Sequence, residues 1–517
     1  MVNRCALTPS LSRGERGKEN VKRITGLVLA VVAVAAGAGA DSLESARRAR
    51  QVLEQGAAAL GGMEALRSSG AMVVRYEGET IHRNQSRRPE PPYERTPLHG
   101  TLVLDPKSGR FSHEVESSFP GGFLSRTRFI TDGKQTYNLL LLENRAISFG
   151  APSPAQLRNF RRWFPHLIVL NALERVAQAR FAGEGTESDR PQEVVEYPNE
   201  DGNVMALFFD ARSHLLTKFE QVATDSVSGD ATLERIFPGY RDIQGVKFPD
   251  GRLTRQSGEL VEELRFVDVQ RAGTIPDAVF AVPAGFQTFQ PAPPPTPPLV
   301  KLGEGVYVHR ANYNTLFVEL GDSLLAIEAP GNDEASTAAM SKLREAVPDK
   351  PIKYLAVTHH HDDHAGGTRA YLAEGAILVT TPGNRAFFEK MAKARFTIEP
   401  DLFTRRPRPA VIETVTGGKR VFTGGGHTVE LYDIGTNPHT DEMLVAWLPK
   451  ERILFEGDLF NRPADGHARA GNETTAAFAK WLEKSGLSVK TIVPVHGPPA
   501  TIEDLRQAVS LFEKAKP

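Results

Sequence analysis

The decapeptide THHHDDHAGG, residues 358–367, places four histidines and two aspartates in the six consecutive positions 359–364. The stretch before it, IKYLAV, is a short apolar run of strand type, which predicts burial right up to Thr358. Burying imidazoles and carboxylates side by side without compensation is costly, because each is strongly hydrated and the carboxylates repel one another. A bound cation reverses that balance by turning carboxylate repulsion into coordination. In an extended segment His359 and His361 project to the same side, and Asp363 continues the alternation. His364 lies where the chain turns into Gly366 and Gly367. One short loop can thus offer ligands to two neighbouring cations.

Further ligands have to come from elsewhere in the chain. His439 in GTNPHTDEML, Asp458 in ILFEGDLF and His496 in TIVPVHGPP all follow apolar strand-like runs that would deliver them to one sheet edge. A single histidine at a strand end is ordinarily a packed or hydrogen-bonded residue. Three ligand-type groups in the same part of the chain as the cluster favour a metal site instead. The distribution of imidazole agrees: eight of the 14 histidines lie between His359 and His496. The only cysteine is Cys5, so a cysteine-rich zinc site and an intrachain disulfide are both excluded. With 62 basic against 63 acidic residues, the chain has no electrostatic footprint for nucleic acid.

At 517 residues, two or more domains are expected. Residues 1–40 read as a leader: Lys22 and Arg23, an apolar run from Ile24 through Ala36, and Ala38-Gly39-Ala40 before Asp41 have the layout of a secretory signal peptide. The run is shorter than the ~20 residues a spanning helix needs. A periplasmic or secreted mature chain is therefore expected, and its lack of cysteine suits an oxidising compartment. Six of the eight residues from Pro291 to Pro298 are proline, which marks residues 287–300 as a stiff linker.

Residues 41–286 open with a helix, SLESARRARQVLEQGAAALGG, and continue as short strands punctuated by Gly, Pro, Asp and Asn, with one or two helices across PSPAQLRNFRRWFPHLIVLNALERVAQ. This reads as an antiparallel β-rich domain with a covering helix. The segments YRDIQGVKFPDG and DAVFAVPAGF give it a diffuse similarity to periplasmic lipoprotein-carrier-like half-barrels, which implies a lipid or cell-envelope component as partner. Its arginine-rich stretches HRNQSRR and RNFRRW read as solvated faces. Residues 301–517 alternate strand and helix patterns, the signature of helices packed outside sheets.

THHHDDHAGG, followed in order by His439, Asp458 and His496, resembles the His-x-His-x-Asp-His signature and distal ligands of the metallo-β-lactamase superfamily. The resemblance covers Lys301 to Pro517 and implies an αββα sandwich, so the whole chain is expected to be α+β with that sandwich at its C-terminal end. It also implies a ligand set. His359, His361 and His439 would hold a first metal, Asp363, His364 and His496 a second, and Asp458 would bridge them. The cofactors implied are two divalent ions, zinc in the first instance, with iron or manganese open to the same ligands. Many antibiotic-hydrolysing members have cysteine where this chain has Asp458, so the resemblance is to the Asp-bridged branch. Glu328 in LLAIEAPG stands where many members have aspartate, which implies altered support of the ligands from behind.

These readings combine into an exported dinuclear metal-dependent hydrolase. It would cleave an amide, lactam, lactone, ester or thioester in a small-molecule substrate by attack of a metal-bound hydroxide, with Asp363 as the catalytic carboxylate orienting it. Two other classes stay open: an iron-dependent oxidoreductase of the sulfur dioxygenase type, and an envelope binding protein with a vestigial metal site. Asn437, Asn461, Arg462, His467 and Asn472 are candidate substrate contacts, read equally well as turn and loop residues. His360 and Asp362 are expected to face solvent or to support the ligands from behind, His427 to sit in a turn, and His309 to lie on the outer face of its strand.

Overall fold

A computed structural model describes residues 42–290, 298–463 and 466–515. The leader and the run 291–297 lie outside the described residues, and the described ends of the 287–300 stretch are paired as the strands Gln287–Phe289 and Leu299–Gly303. No helix among the described residues is long and apolar enough to cross a membrane.

The N-terminal region holds a small pair, Tyr240–Ile243 with Val246–Pro249, and one 14-stranded sheet, antiparallel throughout except where Gln287–Phe289 runs parallel to Arg145–Gly150. Strand Ala71–Ile81 lies near its centre, between Arg95–Asp105 and Glu259–Ala272. Its alternation decides which face is covered. Met72, Val74 and Tyr76 point into the core, whereas Arg75 is exposed. The helices Ser42–Ala59 and Pro165–Glu174 close that face, contributing Val52, Leu53, Ile168 and Val169 to the same cluster as Leu102, Phe111, Leu207 and Phe209. The expected covering element is thus a pair of helices.

The C-terminal region is two stacked sheets with helices on both outer faces. A seven-stranded sheet runs from Leu299–Gly303 to Ile412–Thr414 in sequence order, and a five-stranded sheet from Lys419–Gly424 to Thr491–Pro494. Strand Asn314–Leu320 is buried on both faces, so its side chains sort by parity: Leu316, Val318 and Leu320 enter the core between the sheets, and Phe317 the core beneath the helices. Strand Leu444–Leu448 does the same. Leu444, Ala446 and Leu448 face the first sheet, while Val445 and Trp447 meet Phe478, Leu482 and Leu505 of the helices Glu473–Ser485 and Ile502–Ala515. This is the αββα order, and it sends the ends of three strands to one edge.

Of two expectations about histidines, one holds and one is corrected. His309 lies on the outer, helix-covered face of strand Val306–Arg310, opposite Val306 and Val308, and is buried there. His427 does not occupy a turn: it opens strand His427–Asp433, buried, with Nδ1 3.0 Å from Glu451 Oε1.

Candidate metal centre

Strand Ile352–Ala356 delivers Val357 and Thr358 to the sheet edge, and the chain then turns through His359–His361 into a single helical turn, Asp362–Ala365. The glycine pair behind it answers a close approach and not a special φ. A Cβ on Gly366 would lie 2.1 Å from the carbonyl oxygen of Gly331 and 2.8 Å from Ser226 Oγ, and one on Gly367 would lie 2.0 Å from Ser336 Oγ.

Three loops bring the other groups. His439 sits in a tight turn where Asn437 Oδ1 accepts the backbone N–H groups of His439 and Thr440, at 2.9 and 3.1 Å. Asp458 follows strand Ile453–Glu456 in a turn that Glu456 shapes by accepting from Leu459 N and Phe460 N. His496 leaves strand Thr491–Pro494, and Asn314 Nδ2 holds that exit by donating to the carbonyls of Pro494 and Gly497 at 2.7 and 2.8 Å.

The side chains converge in two groups. One contains His359, His361, His439 and Asp458, the other Asp363, His364, Asp458 and His496, with the ligand-type atoms of each within 4.8 Å of one another. Asp458 belongs to both. Its Oδ2 lies 3.4 Å from His439 Nε2 and 3.3 Å from His364 Nε2, and its Oδ1 lies 3.2 Å from His496 Nε2. Imidazole nitrogens face each other across both groups, His359 Nε2 to His439 Nε2 and His364 Nε2 to His496 Nε2, each at 3.3 Å.

The opposite ring nitrogens are spoken for by oxygens. Glu328, fully buried and in the left-handed backbone region at φ 83°, accepts from Thr358 N at 3.0 Å and Thr358 Oγ1 at 2.7 Å, and lies 3.2 Å from His364 Nδ1. Thr358 Oγ1 is in turn 2.9 Å from His359 Nδ1. Because its proton goes to Glu328, that hydroxyl accepts from the ring. His361 differs: its Nε2 donates to the carbonyl oxygen of Ser86 at 2.8 Å, and its buried Nδ1 has no hydrogen-bond partner among the described residues. His359 and His361 are therefore each fixed in the tautomer that leaves one lone pair aimed inward, as a metal ligand requires, and Glu328 orients the His364 ring from behind.

Charge is arranged to match. Burial, and then His364 and the other imidazoles nearby, hold His359 well below the usual histidine range; burial and His439 do the same for His361. Burial would also lower His364, but the carboxylates of Asp458 and Asp363 outweigh it and hold that ring well above its ordinary value. Asp458 is kept ionised against its burial by His496 and His364. Carboxylate charge balanced by a proton on a buried imidazole is a site where a cation can replace the proton. The donor set, the inward lone pairs and the orphaned His361 Nδ1 all fit divalent metal.

Residues 315–496 match the model of the Metallo-beta-lactamase superfamily, a span that begins inside strand Asn314–Leu320 and ends on His496. The C-terminal domain is a metallo-β-lactamase domain. Solved structures similar to it include a metallo-beta-lactamase from Pontibacter korlensis, 21% identical, with a TM-score of 0.33 over 42% of this chain and 98% of that one. The FIM-1 enzyme from Pseudomonas aeruginosa in its mono-zinc form is 23% identical, with a TM-score of 0.32 over 42% of this chain and 95% of that one. An enzyme from Hirschia baltica is also 23% identical, with a TM-score of 0.32 over 41% and 96%.

Around the metallo-β-lactamase centre, several flanking residues have other work. Asn437 caps the His439 turn, and Asn472 accepts from Thr475 N at the start of helix Glu473–Ser485. His467 Nε2 lies 3.0 Å from Glu143 Oε2 of the N-terminal region, and Arg462 pairs with Asp504. Asn461 alone keeps the character of a substrate contact: it is buried, and neither atom of its amide has a partner among the described residues. His360 is not solvent-facing. It is buried against Phe387, and burial followed by His439 pushes it down to about 4.

The residues that sequence reasoning missed come from the stretch read as a solvated face. Asn84 to Arg88 of HRNQSRR lie against the cluster of histidines and aspartates. Gln85 Nε2 donates to Asp362 Oδ1 and Asp363 Oδ1 at 2.6 and 2.8 Å, Ser86 supplies the carbonyl for His361, and Arg87 and Arg88 pair with Asp441. Their separation of 277 residues from the motif, and the absence of any ligand chemistry in them, left no signal to read.

Proposed function

We propose that the chain is an exported, dinuclear metal-dependent hydrolase that cleaves an amide, lactam, lactone, ester or thioester bond in a small-molecule substrate. The observation that carries this reading is the set of outward acceptors that turn His359, His361 and His364 inward, around the one carboxylate, Asp458, that both groups share. His359, His361 and His439 would hold one cation, Asp363, His364 and His496 the other, and Asp458 would reach both. Zinc suits this nitrogen-rich set best, and iron or manganese could enter it. The ions would supply an acidified water and an electrophile for the scissile carbonyl.

The side chains would do the rest. Asp363 is held well below the usual carboxylate range, because His364 and His496 outweigh its burial. It therefore serves as a hydrogen-bond acceptor that orients the attacking water, presenting Oδ2 on the side of His496 at 3.1 Å. Asp458 keeps the two imidazole groups in register. Asn461, with an unused donor three residues beyond Asp458, would meet the substrate carbonyl or carboxylate. No Gly-x-Ser-x-Gly elbow occurs in the sequence, and this chemistry needs no side-chain nucleophile. Export is supported by the apolar run and the Ala38-Gly39-Ala40 site, and the mature chain should begin at Asp41 by N-terminal sequencing.

The test is turnover by zinc-loaded protein of a panel of chromogenic lactams, lactones, esters and thioesters. Hydrolysis of at least one class, abolished by chelator and restored by zinc, is the expected result. An unturned panel, or one iron per chain with oxygen uptake, contradicts it.

A further inference from the structure

We infer that the N-terminal domain completes the metal centre, with Gln85 as a positioning residue that fixes Asp363 and with the Ser86 carbonyl fixing His361. This rests on the metal reading above and extends it to a part of the chain that the metallo-β-lactamase match does not cover.

The loop concerned, residues 82–94, joins strands Ala71–Ile81 and Arg95–Asp105. It is built to hold one shape. Ser86 Oγ accepts from Glu94 N, and Glu94 Oε2 accepts from Arg87 N, both at 2.7 Å. It then grips the metallo-β-lactamase domain at two points. Asp362 N donates to the carbonyl of Asn84 at 3.2 Å, and Asp441 N to the carbonyl of Arg87 at 3.0 Å. Arg87 and Arg88 close on the Asp441 carboxylate at 2.8 and 2.5 Å. One contact is inside the histidine cluster, and the other is two residues past His439.

Gln85 is placed where two neighbouring carboxylates would otherwise repel each other. Its neutral amide spends one hydrogen on Asp362 and one on Asp363, so a single side chain satisfies both. With Oδ1 of Asp363 taken, Oδ2 is the oxygen presented to His496 at 3.1 Å and His364 at 3.7 Å. Gln85 thus selects which oxygen the second group receives. The Ser86 carbonyl, which can only accept, sets the proton on His361 Nε2 and frees Nδ1 for the first group. Outer partners of this kind hold ligands in the orientation that metal binding needs.

The experiment is metal binding by the full-length protein and its Gln85→Leu and Gln85→Glu variants. Metal-free protein competes with a chromophoric chelator for zinc, and cobalt-loaded protein is read by its visible spectrum. Wild type should bind two equivalents. Gln85→Leu should weaken the second equivalent by about 10–100-fold with the first little changed, and should alter the cobalt spectrum. Gln85→Glu, which has the same shape and so spares the loop, should weaken it at least as much, because a third carboxylate then faces Asp362 and Asp363. Two equivalents bound by both variants with wild-type affinity and spectrum would overturn the inference alone. A wild type that binds neither equivalent would overturn the metal reading beneath it.

Discussion

At the scale of single residues, the site depends on groups that touch no metal. Glu328 is the clearest. It sits in a backbone region that costs a non-glycine residue on the order of 1–3 kcal/mol, and it is fully buried. What offsets this is the set of bonds it makes: two to Thr358 and one to His364, with His359 reached through the threonine hydroxyl. One carboxylate therefore orients a histidine in each group. Replacing Glu328 by Gln keeps the size but turns one acceptor oxygen into a donor. The expected outcome is a loss of about 10–100-fold in zinc affinity, measured by chelator competition, with the fold retained by circular dichroism. Unchanged affinity would mean that the ring orientations are set elsewhere. The sequence made Glu328 visible only as a departure from an expected aspartate; its reach to Thr358 depends on a φ that no pattern announces.

At the scale of elements, loops do the chemistry and strands aim them. The strands were legible because parity and burial leave period-2 and all-apolar runs, as in NTLFVEL and LVAWLP. His439, Asp458 and His496 were legible because each stands just past such a run. His427 was misjudged because the glycines before it announce a turn that ends one residue earlier, and position beside a turn does not reveal what covers a side chain. The glycine pair after the motif shows how tightly the loop is seated. A methyl group on Gly366 would meet the Gly331 carbonyl and a serine of the other domain. Gly366→Ala should destabilise the protein by about 1–3 kcal/mol in urea unfolding. It should also weaken metal binding, because the displaced turn carries His364. A variant as stable as wild type would show that the turn has room to shift.

At the scale of the whole molecule, the two regions are coupled at several places. Loop 82–94 meets the cluster, Gly121 lies against the His439 turn, Glu143 pairs with His467 and Arg469, and Asp230 accepts from Thr397 and Ile398. None of this could be read from the sequence, since contacts between distant segments leave no local period. The N-terminal core also gives the protein a pH dependence that is independent of metal. Burial, then Arg252 in one case and Arg271 in the other, pushes His113 and His166 down to about 3. In the unfolded chain both would titrate near 6.5. Between those values the unfolded state holds more protons, so stability falls as pH falls; above 6.5 the contribution is complete. Each ring adds a slope of up to about 1.4 kcal/mol per pH unit. His166→Phe, in an apolar setting beside Phe164 and Phe248, should flatten the fall in urea stability of chelator-treated protein between pH 6 and 4. An identical slope would mean that His166 is protonated in the native state.

The metal-linked effects presuppose two cations gripped by seven side chains from four places in the chain. Anomalous diffraction at the zinc edge from zinc-soaked crystals measures that directly. Two peaks about 3.5–4 Å apart are expected, one within bonding reach of His359, His361 and His439, the other of Asp363, His364 and His496, with Asp458 between them. Zinc-saturated crystals with no peak at these residues, or with a single peak lying outside both groups, would contradict it.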